Sequence, residues 1–452
     1  MDIAVTTILL FAVFGILLFV GCPISVSIVV SSIVTALSSL SWDQITFITM
    51  QKMNGGVESF SLLAVPLFIL AGNIMNNGGI ARRLVNFAKL FCGWIPGSLA
   101  QANVLGNMLF GALSGSAVAA SSAMGGCIYP IQKEEGYDPA FATAVNIASA
   151  PTGLLIPPTS AFIVYSTVAG GVSISALFMA GYIPGILMGL GTMIVAFIYA
   201  KKHKYPTTGF VPMKEALKVT FEAIPSLLLI VIVIGGIVGG IFTATEGAGV
   251  CVLYCLILSI IYKSIDMKLF MKILLNSAAT SGIILFLISA SSAMSWVMAY
   301  SGIPAAISSG LMSITDNKYI LLLLMNIILL IVGMFMDITP AILIFTPIFL
   351  PIAESLGMSS IQFGVMLIFN MCMGSMTPPV GSVLFVSCGI SKITIEQVTK
   401  TLLPYSAVLL GILLAVTYVP ALSMGIPTLL GPVSYTHLTL PTTRRVEISV
   451  VA

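Results

Sequence analysis

Charge is what this chain has least of. Asp, Glu, Lys and Arg make up 7% of its 452 residues, against 58% apolar residues and a mean hydropathy of +1.12. A soluble domain carries roughly a quarter charged residues, so a water-soluble globule is excluded. The formal charge of +3 is small and the basic residues form no basic face, which excludes a nucleic-acid partner. Histidine is nearly missing: only His203 and His437 occur, both in polar segments, which argues against a zinc or haem site. Cys22, Cys92, Cys127, Cys251, Cys255, Cys372 and Cys388 lack CxxC spacing and sit in apolar surroundings. They read as small buried hydrophobes, not as a disulfide or metal framework. No GxxxxGK[ST] occurs, so the chain does not hydrolyse ATP through a P-loop. With no HExxH, no paired carboxylates and no membrane histidine, it also lacks a catalytic constellation and is not an enzyme.

What is abundant is apolar sequence, in long stretches from end to end, as in a polytopic α-helical protein of the lipid bilayer. A β-barrel would show alternating segments of about ten residues instead. The opening MDIAVTTILLFAV has no basic leader or cleavage site and reads as a first membrane helix. Residues 432–452 break the composition abruptly and are set aside as a tail foreign to the fold.

The apolar sequence repeats. Displaced by 221 positions, Pro130 falls on Pro351, Gly136 on Gly357, Gly153 on Gly374, Pro157-Pro158 on Pro378-Pro379 and Ser166 on Ser387. Upstream, Gly79-Ile80 matches Gly302-Ile303 after a two-residue adjustment. Paired halves with apolar segments interrupted by Gly and Pro at matching places point to a secondary transporter with a site at the bilayer midplane. The halves are expected at 1–222 and 223–428.

Basic residues set the orientation. Lys201, Lys202, Lys204, Lys214 and Lys218, then Lys263, Lys268 and Lys272, flank two apolar segments, so both clusters lie on the cytoplasmic side. Segment 274–297 then crosses outward and leaves SGIPAAISSGLM outside. Its repeat partner, with Arg82, Arg83 and Lys89, belongs inside, as an inverted repeat requires. Segments 98–131 and 319–353 each hold two apolar pieces of about 14 residues, short of the ~20 a crossing needs, and read as re-entrant helical hairpins. Segments 139–171 and 361–391 are broken at SAPTGLLIPP and MGSMTPP, where adjacent prolines remove two amide donors. Irregular backbone at that depth is tolerated where it lines a cavity. The whole comprises about ten crossings and two hairpins.

Broken helices offer carbonyls to cations and amides to carboxylates. The candidate oxygens are Ser114 and Ser116 with carbonyls near Gly153, Ile156 and Pro158. In the second half they are carbonyls near Gly333 and Gly374, the Thr377 hydroxyl and Asp337. Two near-neutral sets of hard oxygens suggest two sodium sites. Asp337, at the second hairpin tip, is a functional candidate by its depth, whereas Glu246 in the TATEG turn is explained by helix capping.

AVPLFILAGNIMNNGGIARRL, LFGALSGSAVAASSAMGG, LLIPPTSAFIVYSTVAGGVSISALFMAGYIPG, GGIFTATEGAGV and the GMFMDITPA…MGSMTPPVGS pair occur in that order. Over about residues 1–428 the chain resembles the large membrane subunit of the tripartite ATP-independent periplasmic (TRAP) transporters. The resemblance implies an elevator-type fold in the bacterial inner membrane and sodium-driven uptake. It also implies two partners, a small four-helix membrane subunit, expected here as a separate polypeptide, and a periplasmic substrate-binding protein. Carried over to this sequence, one sodium site takes Ser114, Gly153, Ile156 and Pro158, the other Gly333, Gly374, Thr377 and the Val380 carbonyl. Substrate contacts fall on Ser116 and Asp337, with Thr159 and Ser160. The implied substrate is sialic acid (N-acetylneuraminate), with a C4-dicarboxylate or other carboxylate as the alternative. Without Arg or Lys in the core, the acid must be held by half-helix N-termini, hydroxyls or sodium itself.

Overall fold

The computed structural model describes residues 3–430 apart from 208, 210, 211 and 316, and the tail at 432–452 lies outside the described residues. Among the described residues every regular element is helical. The chain opens with α1 (Ile3–Phe19), α2 (Ile24–Ala36) and α3 (Trp42–Gly55). A short 3-10 turn at Phe60–Leu63 leads into α4 (Ala64–Asn77), followed by the arm α5 (Ile80–Cys92). Two helices then fold back on each other, α6 (Ser98–Ser114) and α7 (Ala117–Glu134). A helix in three pieces follows, α8 (Pro139–Ser149), α9 (Thr152–Leu155) and α10 (Ser160–Val168), and then the long α11 (Ile174–Lys202).

The second half retraces this order. It contains α12 (Met213–Val238), α13 (Ala244–Ile261), α14 (Met267–Tyr300) and the arm α15 (Ile303–Ile314). The hairpin α16 (Lys318–Phe335) and α17 (Ile338–Ser355) follows, then the broken pair α18 (Ser360–Met376) and α19 (Ser382–Ser391). The chain closes with α20 (Ile395–Tyr418) and α21 (Ala421–Leu430). Pro130 in α7 and Pro351 in α17 keep the repeat register inside the hairpins.

The structure revises several sequence boundaries. The hairpin helices run 17 or 18 residues, not about 14, because the apolar core of each continues into polar turns at its outer end. The crossing expected at 274–297 is part of a 34-residue helix. A last segment at 400–425 splits at Val419-Pro420, since proline removes the amide that would continue α20. Among the described residues eight helices are long and apolar enough to span a bilayer, or nine when the bent pair at 139–168 counts as one span. The comparison with the expected ten is one of length, since α1 and α2 are shorter than that test requires.

The inversion is carried by α14. Its 34 residues span about 51 Å at 1.5 Å per residue, more than the hydrocarbon core. The first arm abuts the loop before it, where the Ser264 hydroxyl donates to the Gly78 carbonyl at 2.9 Å, and the second arm begins just past its far end. The arms therefore lie at opposite ends of one membrane-spanning helix. Impermeant thiol labelling of Arg82→Cys and Ser309→Cys on a cysteine-free background should report opposite faces. Labelling of both from the same side removes the inversion.

Packing ties the broken segments of the two halves together. The Ser121 and Ser387 hydroxyls bond at 2.6 Å, the Asn146 amide donates to Ser387 Oγ at 3.2 Å, and the Tyr165 hydroxyl donates to the Ser360 carbonyl at 2.5 Å. Around it, buried Phe141, Phe162, Phe178, Phe363 and Phe369 fill the core. At the end of α13 opposite its basic loop, Thr243 and Glu246 form a reciprocal capping box: the Thr243 amide donates to Glu246 at 2.8 Å and the Glu246 amide to Thr243 Oγ1 at 3.2 Å. Capping is thus the role that Glu246 fills.

Candidate functional site

Each hairpin tip is a chain reversal of two residues, reached by different chemistry. In the first, Gly115 takes a left-handed conformation (φ 60°) that ends α6, and Ser116 opens α7 with its Oγ accepting from the Ala119 amide at 3.3 Å. In the second, Met336 is extended and Asp337 holds the N-cap position of α17, yet its side chain makes no capping bond. The Asp337 carboxylate engages the Ile338 amide at the start of α17 but makes no capping bond further into the helix.

The breaks lie beside the tips. In the first, Ile156 leaves α9 in an extended conformation, Pro157-Pro158 is cis, and Thr159 caps α10 by accepting from the Ala161 amide at 3.1 Å. In the second, Thr377 ends α18, Pro378-Pro379 is again cis, and α19 starts at Ser382. The Thr377 hydroxyl donates to the Met373 carbonyl at 2.6 Å, which leaves its oxygen lone pairs available.

In both halves the hairpin crosses the broken helix at a pair of glycines with backbone against backbone. A Cβ built on Gly111 would stand 2.4 Å from Gly153 Cα, and one built on Gly374 would stand 2.4 Å from Gly333 Cα. An amide clasp sits next to each crossing. Asn107 Nδ2 donates to Ser149 Oγ at 2.7 Å in the first half, and Asn370 Nδ2 donates to Asn326 Oδ1 at 2.7 Å in the second.

The tips and breaks enclose a cavity of about 300 Å³ against α4 and α14. Ser114, Ser116, Ser160 and Asp337 line it, as do Asn73 of α4 and Thr280 of α14. Its decisive feature is the set of helix ends that face it. The N-termini of α7, α10, α17 and α19 all reach the cavity, through Ala117, Ser160, Ile338 and Ser382. Each carries unsatisfied amides and about half a positive charge. Ser114, Leu154 and Ser375, near the C-termini of α6, α9 and α18, where helix carbonyls are left without amide partners, line the same wall. No Lys or Arg is among the lining residues. This arrangement can hold a carboxylate on helix amides and a hard cation on carbonyls within a few ångströms of each other.

Of the residues singled out from sequence, the structure brings Ser114, Ser116, Ser160 and Asp337 to the cavity wall. Gly153 and Gly333 stand one shell behind it at the two crossings, with Gly374. Pro158 packs on the first tip, its carbonyl 3.1 Å from a Cβ built on Gly115, and Ile156 lies against Gly185. Thr159 is fully buried next to Ser160 with its hydroxyl committed to the cap, and Val380 is exposed on the turn before α19. Sequence reasoning missed Ser382, which matches Ser160 only when one residue is inserted in PPVGS relative to PPTS, since the 221-residue displacement places Ser160 on Gly381. It also missed Asn73 and Thr280, which lie among other polar residues of α4 and α14 and carry no signal that sets them apart. Asn73 is held by donating to Ser277 Oγ at 2.8 Å.

A midplane cavity formed by two inverted hairpins and two broken helices defines the membrane subunit of a secondary transporter. Residues 11–422 match the family of the tripartite ATP-independent periplasmic transporter, DctM component, and the chain belongs to that family as a multi-pass large permease of the bacterial inner membrane. Protein YgiK of Salmonella typhimurium, itself described as uncharacterized, is 51% identical over 94% of this chain and 98% of its own length. The sialic acid TRAP transporter large permease SiaM of Vibrio cholerae is 35% identical (91% and 96%), and the C4-dicarboxylate permease DctM of Rhodobacter capsulatus is 34% identical (94% and 100%). A crystal structure of the Alcanivorax borkumensis YdaH transporter shares the fold, with a TM-score of 0.59 at 17% identity over 87% of this chain and 91% of that one.

Proposed function

We propose that this permease imports an organic acid by sodium-coupled secondary transport, with sialic acid as the first candidate substrate and a C4-dicarboxylate as the alternative. The observation that carries the reading is the convergence of four helix N-termini on a cavity without a basic side chain. Such a site has positive potential for a carboxylate and retains none of the fixed charge that would hold it too tightly for release. Asp337 makes the cavity unfavourable to an anion until a cation joins it, which gives the coupling a physical basis.

The two sodium ions are assigned to the two glycine crossings. One set is Ser114 with the carbonyls of Gly153, Ile156 and Pro158; the other is Gly333, Gly374, Thr377 and Val380. Ser116, Ser160 and Asp337 face the substrate, and Thr159 supports Ser160. Similarity to the sialic acid permease and to the C4-dicarboxylate permease is nearly equal, so the choice between them rests on chemistry. Sialic acid offers one carboxylate and several hydroxyls to a wall rich in Ser and Thr. The substrate would arrive on a periplasmic binding protein, and a small four-helix subunit would brace the apolar outer faces of helices such as α12. The hairpins and broken helices, bonded across the two halves, would move as one body past α4 and α14 in an elevator step.

Reconstitution with both partners tests this. Uptake of labelled N-acetylneuraminate should follow an inward sodium gradient, need no ATP, and exceed succinate uptake. Undiminished uptake with potassium replacing sodium on both sides removes the coupling. Preference for succinate removes the substrate assignment alone.

A further inference from the structure

The larger cavity is not the central one. A space of about 800 Å³ opens between the end of α3, the loop before α4, the outer turns of α14 and the end of α10. It belongs to the external side, because the Thr245 hydroxyl donates to the Phe60 carbonyl at 3.2 Å beside the turn opposite the basic loops. Its floor continues into the central cavity. Thr280 and Ile284 of α14 line the inner space and Ile288, Ser291, Ser292 and Ser295 the outer one, on successive turns. On α17, Ile338 and Thr339 line the inner space and Leu343 the outer.

Among the described residues, Lys52 and Glu58 are the only ionisable ones lining the outer cavity. Glu58 accepts from the Asn54 amide at 2.6 Å, and α3 is fixed to α14 where the Ser289 hydroxyl donates to the Met53 carbonyl at 2.8 Å. Ser291 is 3% exposed, and its hydroxyl has no partner among the described residues. A helical serine usually donates to the carbonyl one turn back; Ser291 does not, and its hydroxyl lies just beneath the cavity surface as an unsatisfied group that a small shift of the wall would present to a ligand.

We propose that this outer cavity is a second subsite for the imported acid, which receives a hydroxylated monocarboxylate before it reaches the central cavity. Lys52 takes the carboxylate, and Ser291 with Ser292 takes hydroxyls. Lys52 supplies the fixed positive charge that the inner cavity lacks, at the stage where capture matters and release does not. Glu58 sets the class: with one charge of each sign on the wall, a monoanion is neutralised, whereas the second carboxylate of a dianion meets like charge. The inference rests on the import reading above.

The test is uptake by the full complex in proteoliposomes, with N-acetylneuraminate and succinate as probes over a range of loaded binding protein. Lys52→Gln should raise the half-saturating concentration for N-acetylneuraminate about fivefold, with the saturated rate within about twofold, as for one partly exposed charge contact. Lys52→Arg should restore it, and Ser291→Ala should give a rise of about twofold to fivefold. Glu58→Gln should lower the half-saturating concentration for succinate. An unchanged half-saturating concentration in both Lys52→Gln and Ser291→Ala overturns the subsite. So does equal weakening, by Lys52→Gln, of docking by the unloaded binding protein, which would make Lys52 a protein contact. A wild-type complex that imports neither acid removes the import reading and the subsite with it, and that outcome is seen before any variant is compared.

Discussion

Asp337→Asn should reduce sodium-driven uptake by about a hundredfold, while leaving the amount of folded protein and the docking of the binding protein unchanged. Asparagine keeps the size and removes the charge. The usual reason for an Asp at this position would be to cap α17, and Asn caps almost as well. The structure weakens that reason, since the Asp337 side chain reaches only the Ile338 amide, makes no N-cap bond deeper in α17, and lines the cavity. A carboxylate at this depth requires a cation or donor hydroxyls to remain charged. Losing a contact of that kind costs about 1.5–3 kcal/mol, which at its upper end corresponds to the hundredfold. Ser116→Ala makes the contrast. Its oxygen already accepts from Ala119 at 3.3 Å, and a neutral hydrogen bond contributes only about 1 kcal/mol net, so uptake should fall a few-fold. Initial rates in sodium-loaded and sodium-free proteoliposomes measure both. Near-normal sodium-dependent uptake by Asp337→Asn would take Asp337 out of the site.

The second large effect belongs to the glycine crossings. Gly374→Ala should abolish uptake and, with it, the rise in melting temperature that the proposed sodium sites predict for the wild type. A Cβ there would meet the Gly333 carbonyl carbon at 2.3 Å and its oxygen at 2.5 Å, all backbone, so no side chain can rotate out of the way. Separating the helices costs ~1–3 kcal/mol of packing and moves the carbonyls proposed to bind the ion. A ligand stabilises only the state that binds it, so a displaced site loses the sodium-dependent shift as well as basal stability. Gly153→Ala, where the Cβ would stand 2.4 Å from Gly111 Cα, should behave alike for the first site. Gly249→Ala in α13, with nothing within 4 Å of the added methyl, is the control and should retain both properties. Thermal melting of the detergent-solubilised complex against sodium concentration reads the shift directly. A preserved sodium response in both crossing variants would detach the ions from the crossings.

Much of this was legible in the sequence because it depends on local properties. Apolar length and scarce charge require helices in a bilayer. Two prolines in a row must break a helix wherever it packs, so the breaks at Pro157-Pro158 and Pro378-Pro379 could be placed without a structure. The same holds for Thr243 and Glu246, whose capping box spans three residues, and for Asp337 at a tip, since a charged residue interrupts an apolar run at a readable position. Inversion of the halves was legible from the lysines, because positive loops stay on the cytoplasmic side.

Other features depend on which segment meets which, and local sequence does not encode that. Gly111 meets Gly153, and Gly333 meets Gly374, only because hairpin and broken helix cross at close range. Any small residue in an apolar helix carries the same signal beforehand. Thr159 and Ser160 are neighbours with similar side chains, yet packing buries the first as a cap and turns the second to the cavity. The convergence of four helix N-termini was decided by tertiary structure alone, as was the outer cavity that joins Lys52 to Ser291 across 239 positions. The physical reason is common to both. A helix end acquires its electrostatic role only when packing removes water and points it at the same space as other ends, and that space is made by segments more than 200 residues apart.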